Sequence, residues 1–249
     1  MQSFPPLEIL CEDGPILAVN KPAGLLTQGV PEGLPTLESQ IRAYVKEKYA
    51  KPGNVYLGIP HRLDRPTSGV IVFARNSKAA ARLAEQFHDR RVKKEYLAVV
   101  EGTPSESEGL LKDWLLKDAA KSHVECVPEG TASAKEASLR YEVLERQEGR
   151  ALLRLQPLTG RMHQIRVQLA SRGWPVLGDV QYGSTAEAPF VDADKAGDVI
   201  ALHAHRLTIF HPVRYDELTI TAPVPESWET LGFDRTRAIV GRAGDSDSP

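Results

Sequence analysis

The chain has little cysteine: two residues in 249, Cys11 and Cys126, too far apart for a metal-binding or redox pair at the usual spacings. That excludes a disulfide-stapled scaffold, and both thiols read as structural groups in a reducing, cytoplasmic setting. Long hydrophobic runs are also missing. The longest, YLAVV at 96–100 and VIVFA at 70–74, fall far short of a membrane span. The N-terminal MQSFPPLEILCEDG has neither a basic flank nor an extended apolar stretch, so it does not read as a signal peptide. A large charge excess is absent too. The formal net charge is −2, which argues against bulk, non-specific nucleic-acid binding. Finally, there is no Gly-rich phosphate loop, no H-E-x-x-H and no G-x-S-x-G, which removes the commonest nucleotide, zinc-protease and serine-hydrolase signatures.

What is present is a chain 41% hydrophobic and 26% charged, long enough for one large core or two modest ones. Its charge is unevenly placed. From Arg62 to Lys94 there are nine Lys/Arg against three acids, and from Arg150 to Arg172 five arginines and no acid. Two such stretches either build one cationic face for a polyanion or are simply solvated helix faces.

Periodicity gives the coarse organisation. ILAVN (16–20) reads as a strand. Helical spacing over 35–49 places Leu37, Ile41, Tyr44 and Val45 on one side, with Thr36 as cap. VIVFA reads as a buried strand, and SKAAARLAEQFHDRR (77–91) as a helix capped by Ser77. KEYLAVVEG (94–102) is a strand, and 103–135 reads as hairpins and loops. ASLRYEVLE (137–145) alternates with period two and pairs with ALLRLQ (151–156) across Glu148-Gly149. The spacing predicts a helix over 159–173, with Thr159 as cap and Gly173 as stop. Strands follow at 202–212 and 217–225, and 241–249 reads as a disordered tail. Strands outnumber helices and adjoin one another. The expectation is an α+β fold on a central mixed, mostly antiparallel sheet flanked by helices and loops, with residues 1–240 as one domain.

The densest chemistry lies in HRLDRPTSG (61–69), where Asp64 is the only carboxylate among His61, Arg62 and Arg65. An Asp before Pro-Thr-Ser-Gly can serve a turn. It can equally be a carboxylate kept ionised by cations and able to act as nucleophile or base. Tyr96 lies on an apolar strand, where a core role is the ordinary reading. Arg166 shares a helical face with His163 and neighbours Met162 and Ile165, and a buried arginine needs an anion. The one left unexplained is Asp64. His61, His163, His203, His205 and His211 raise a metal site, but no cysteine or acid completes a ligand set at usual spacing.

The same residues carry a family resemblance. HRLDRPTSG is similar to the signature of the RluA-type pseudouridine synthases. VNKPAGLLT (19–27), KKEYLAVVEG (93–102), LTGRMHQIRVQLASRGWPVLGDVQYG (158–183) and LHAHRLTIFHP (202–212) with TAPVP (221–225) resemble the family's other blocks, in order. The resemblance covers roughly residues 8–230. It implies the pseudouridine synthase fold and an isomerase that converts uridine to pseudouridine in structured RNA, 23S ribosomal or transfer, by base flipping and without cofactor or metal. It matches Asp64 to the catalytic aspartate, Arg166 to its partner, and Tyr96 to the tyrosine that packs on the target base. It also matches Arg62 to a residue that fills the vacated stack. His61, Arg65, Thr67, Lys93, Lys94, Arg161 and His163 lie in the same blocks and are the remaining candidates for RNA contact. Many relatives carry an extra N-terminal RNA-binding domain. Here the first block begins too early for one, so target choice falls to the catalytic domain and to insertions such as 103–135 and 184–198. Met162 departs from the polar residue usual there, and a monomer is expected. The competing readings are an RNA-binding factor that keeps the fold without the chemistry, and a metal-dependent hydrolase using the histidines.

Overall fold

The computed structural model describes residues 6–29, 35–118, 122–185 and 199–233. In chain order these form β1 (Glu8–Asp13), β2 (Ile16–Lys21), α1 (Leu37–Lys48), β3 (Ser68–Ala74), α2 (Ser77–His88) and β4 (Lys93–Glu101). They continue as β5 (Glu108–Asp118), β6 (His123–Val127), β7 (Lys135–Gln147), β8 (Arg150–Pro157), α3 (Gln164–Ala170), β9 (Leu202–Phe210) and β10 (Glu217–Thr221). The tail at 241–249 and most of the 184–198 insertion lie outside the described residues.

Local chemistry sets the element boundaries. Thr36 caps α1 as the spacing predicts: its hydroxyl accepts the Ser39 N–H, and the Ser39 hydroxyl accepts the Thr36 N–H in return. In α2 the cap is Asn76, one residue before the expected Ser77, and its side-chain oxygen accepts the Ala79 N–H at 2.8 Å. The third helix is shorter than the pattern implies. Thr159 does not cap it. Its hydroxyl donates to Gln164 Oε1, which also accepts the Arg161 N–H, while Thr159 Oγ1 accepts from Ser138 N. These side-chain bonds pin 159–163 as a loop and delay α3 to Gln164. The 103–135 segment is largely the β5–β6 hairpin, paired in register from Trp114↔Val127 to Asp118↔His123.

Among the described residues ten strands make one mixed sheet, in the order β1-β2-β3-β9-β4-β8-β7-β5-β6, with β10 also paired to β9. Every pairing between named strands is antiparallel except β3–β9, which joins only Ser68↔His203 and Gly69↔Ala204. Gly69 explains the glycine of the 61–69 motif. It sits at φ +115°, and a Cβ there would lie 2.2 Å from the Ala204 carbonyl oxygen. Ser68 completes the seam by hydrogen-bonding His203 Nδ1 at 2.9 Å.

Two apolar clusters flank this seam. One gathers β2, β3, α1 and α2 around Phe73, Ile41 and Leu83, and the other gathers β4, β7, β8 and α3 around Leu97, Leu153 and Leu169. Tyr96 packs against both. The seam therefore marks the junction of two cores, and the 61–67 loop leads straight into it.

Candidate active site

The loop bearing Asp64 has no regular structure of its own, so its backbone groups must be satisfied from outside. The VNKPAGLLT stretch does this. Lys21 is fully buried, and its ammonium donates to the carbonyls of Pro22, Leu25 and Arg65 at 2.9, 2.6 and 3.1 Å. Three acceptors match the three protons of the charged form. Burial opposes that form and pulls its pKa down to about 7, with the charge of Asp64 pulling the other way. The Thr27 hydroxyl donates to Leu63 O, and Gly24 N–H to Arg65 O. The loop is closed from within by Thr67 N–H on Asp64 O at 3.1 Å. His61 anchors the other end: its Nε2 accepts the Val72 N–H, and its ring stacks on Phe87 at 4.4 Å. Burial lowers its pKa to about 3, so it is a neutral anchor.

Asp64 thus projects from a braced loop with its side chain a quarter exposed. The Arg166 guanidinium comes from α3, on the other core, to within 3.9 Å of Asp64 Oδ2. The expected pairing of Arg166 with Asp64 is present as this 3.9 Å ion pair, but Asp64 is not the guanidinium's only anion. Its hydrogen-bonded partner is buried Asp179, met bidentately at 2.6 and 2.7 Å, and Gln181 takes a further bond at 2.9 Å. Burial works against the guanidinium charge, but the Asp179 bonds outweigh it and raise the Arg166 pKa. Arg166 is therefore a cation held beside Asp64 without capturing it, which leaves the carboxylate's lone pairs available.

His163 reaches the same oxygen, its Nε2 3.9 Å from Asp64 Oδ2. Tyr182 underlies both neighbours. Arg166 lies 4.8 Å from its ring centre, and its hydroxyl meets His163 Nδ1 at 2.9 Å. Tyr96 lies beside Asp64, and burial followed by the Asp64 charge raises its pKa well above the ordinary phenol value. It presents a neutral phenol, not a phenolate.

These groups open into a cleft of about 1270 Å³. Among the described residues, Arg62, Arg90, Lys93, Lys94, Lys117, Arg161 and Arg206 reach it along with Arg166, against only Asp64 and Glu95, while Phe87, Leu158 and Met162 offer apolar surface. Both basic stretches of the sequence thus do meet on one concave face. Arg62 is exposed at the rim, while Lys94 is partly buried and donates to Thr159 O at 3.4 Å. Arg161 is held by Glu136 O. Thr67 lines the cleft but is buried. Arg65 does not line it: its Nε donates to Gly24 O, which makes it a brace between the loops. His203 and His205 do share a strand face, but their nitrogens meet Ser68 and the Ala222 carbonyl. Cys11 and Cys126 are free thiols whose pKa values burial raises.

Sequence reasoning missed Lys21, Asp179, Tyr182, Lys117 and Arg206. For Asp179 and Tyr182 the signal was the GDVQYG turn. Its aspartate caps a single 3₁₀ turn, Val180–Tyr182, its tyrosine ends that turn, and both point at Arg166.

Comparison with known proteins places these features in context. A family model described as RNA pseudouridylate synthase matches residues 15–171. The dual-specificity RNA pseudouridine synthase RluA of Escherichia coli is 37% identical over 225 residues, covering 88% of this chain and 94% of that protein. An uncharacterized RNA pseudouridine synthase of Zymomonas mobilis is 36% identical over 227 residues, covering 90% and 97%. Among solved structures, human RNA pseudouridylate synthase domain containing 4 superposes with a TM-score of 0.74 at 27% identity, over 90% of this chain and 93% of that one.

Proposed function

The chain belongs to the RNA pseudouridylate synthase family, an isomerase family, and we propose that it converts specific uridines in structured ribosomal or transfer RNA to pseudouridine with Asp64 as the nucleophile. The observation that carries this reading is the placement of Asp64. It is an aspartate on a braced loop at the floor of a cationic cleft, with a guanidinium 3.9 Å away that Asp179 keeps from binding it outright.

The reaction conserves every atom. The N1–C1′ bond breaks with its electron pair left on the uracil, the base turns, and a C5–C1′ bond forms. C5 then loses its proton and N1 gains one. Charge develops at C1′ as in glycoside cleavage, and a carboxylate beside it traps or stabilises that charge. One carboxylate suffices because no water is activated. No electrons are exchanged with an outside partner, so the reading assigns no cofactor and no metal.

A uridine inside a stack cannot reach Asp64, so the nucleotide must be extruded, at a cost of about a few kcal/mol. The cleft exceeds the about 300–1,000 Å³ of a small-molecule pocket, which supports entry of a nucleotide with its neighbours. Its cations face the phosphates. Arg62 at the rim offers a planar guanidinium to the gap in the stack, and the neutral Tyr96 ring packs against the base. In this reading Lys93, Lys94, Arg161 and His163 complete the RNA face. The chain works as a cytoplasmic monomer, residues 1–240 form one catalytic domain, and no described helix is long and apolar enough to cross a membrane.

The test is pseudouridine mapping of cellular RNA from a deletion strain rescued with wild type or with Asp64→Asn. A site restored by wild type alone supports the reading and names the substrate. Restoration by both refutes the role of Asp64, and no dependent site leaves an RNA-binding factor in its place.

A further inference from the structure

Val124, Tyr182, His163 and Asp64 come from four different segments and meet in a line. The Val124 amide of β6 donates to the Tyr182 hydroxyl at 3.1 Å. A backbone N–H can only donate, so this contact occupies an acceptor position of the hydroxyl and leaves its proton to be given. Among the described residues, the hydroxyl's other partner is His163 Nδ1, at 2.9 Å. Nδ1 therefore accepts, and a neutral imidazole accepting at Nδ1 carries its proton on Nε2. Nε2 faces Asp64. The opposite tautomer would turn a lone pair toward the carboxylate and leave the Tyr182 hydroxyl two donors and no acceptor.

Resting on the reading of Asp64 as the nucleophile, we infer that His163 is a positioning residue for Asp64, and that Tyr182 fixes the tautomer in which the imidazole N–H faces the carboxylate. His163 and Arg166 both make their closest approach to Oδ2 of Asp64, each at 3.9 Å. Two groups on one oxygen orient the carboxylate and leave Oδ1 to meet the nucleotide. Contacts of this length tighten when substrate is bound.

The backbone shows that the placement is imposed. His163 stands at φ +52°, in the left-handed region that residues with a Cβ seldom adopt. Its ring lies edge-on to Tyr182, with centroids 5.7 Å apart. Tyr182 is itself held by His123 of β6, stacked at 4.9 Å, and by Arg166. The charged and titratable groups facing His163 are Asp64 on the loop, Arg166 on α3, Asp179 and Tyr182 on the turn, and His123 on β6. Burial lowers the His163 pKa against the pull of Asp64, which keeps Nδ1 an acceptor at neutral pH.

The test combines single-turnover release of tritium from 5-tritiated uridine, in an RNA bearing the Asp64-dependent site, with ¹⁵N NMR of the His163 imidazole. His163→Leu is expected to slow the step about 10- to 100-fold at saturating RNA, as a small misplacement of a reacting group does. His163→Gln keeps an N–H and recovers much of the rate. Tyr182→Phe slows the step and adds nothing in the His163→Leu background. NMR shows Nε2–H in the wild type and a tautomer mixture in Tyr182→Phe. A wild-type rate in a folded His163→Leu protein, or an Nδ1–H tautomer in the wild type, overturns the inference. A wild type inactive on every RNA would instead overturn the function, and the NMR result would still decide the tautomer.

Discussion

Replacing Asp179 with asparagine tests the idea that Arg166 must be kept off Asp64. At an effective dielectric of about 20, a unit charge pair is worth about 6 kcal/mol at the Asp179 separation and about 4 kcal/mol at the Asp64 separation. The difference of about 2 kcal/mol, with two direct hydrogen bonds, keeps the guanidinium on Asp179. Asp179→Asn removes the charge but preserves the shape. Among the described residues Arg166 then has one anion within reach, Asp64, and closes the 3.9 Å gap into a direct salt bridge. Two results follow. Removing one partner of a buried pair costs about 3–5 kcal/mol, which is about 6–20 °C in Tm for a chain of this size. The single-turnover rate also falls about 10- to 100-fold, because the Asp64 lone pairs are now occupied. RNA affinity, set by the cleft's other cations, stays within about twofold. The measurements are thermal unfolding, filter binding and tritium release on one preparation. A variant with the wild-type rate would refute the argument, since it would show that Asp64 tolerates an engaged arginine.

Two further outcomes are expected. Gly69→Ala places a methyl 2.2 Å from the Ala204 carbonyl oxygen at a φ of +115°, so the β3–β9 seam must open. The variant should lose about 3 kcal/mol or more of stability in a denaturant titration, and an unchanged midpoint would show that the seam yields freely. Lys21 has its folded pKa lowered from 10.5 to about 7 by burial, so between those values the unfolded chain binds the extra proton and stability rises with pH, by up to about 1.4 kcal/mol per unit. That increment is absent below pH 7, where both states are protonated. In Lys21→Met the pH 7–10 slope of unfolding free energy should be shallower than in the wild type, and identical slopes would refute the assignment.

Legibility in the sequence followed the range of the interactions. Asp64, the α1 cap and the β7–β8 hairpin were readable because their determinants lie within a few residues of one another. Strand β1 was not foreseen: it is an edge strand with a register shift between Ile9 and Cys11, so no alternation survives in EILCED. The start of α3 was misplaced because the Thr159–Gln164 bond competes with the helix in a way periodicity does not register. Arg166 pointed to an anion, but Asp64 is only its longer partner at 3.9 Å and the hydrogen-bonded one is Asp179. Asp179 is 13 residues away, and only the turn at 180–182 brings it round. Arg65 and His61 looked like RNA contacts because they flank Asp64 in the sequence. Arg65 is instead a brace, and His61 is an anchor whose ring also lines the cleft.

The position of β9 has a consequence for how the enzyme comes into being. This strand, 202–210, lies between β3 and β4 in the sheet, and those two strands do not pair with each other. Asp64 belongs to the core built on β3, and Arg166 to the core built on β4. A nascent chain that has emerged through α3 already carries both residues, yet lacks the strand that sets one core against the other. Such long-range closure is slow and comes late. The approach of Arg166 to Asp64 therefore depends on a strand that lies after both of them in the sequence.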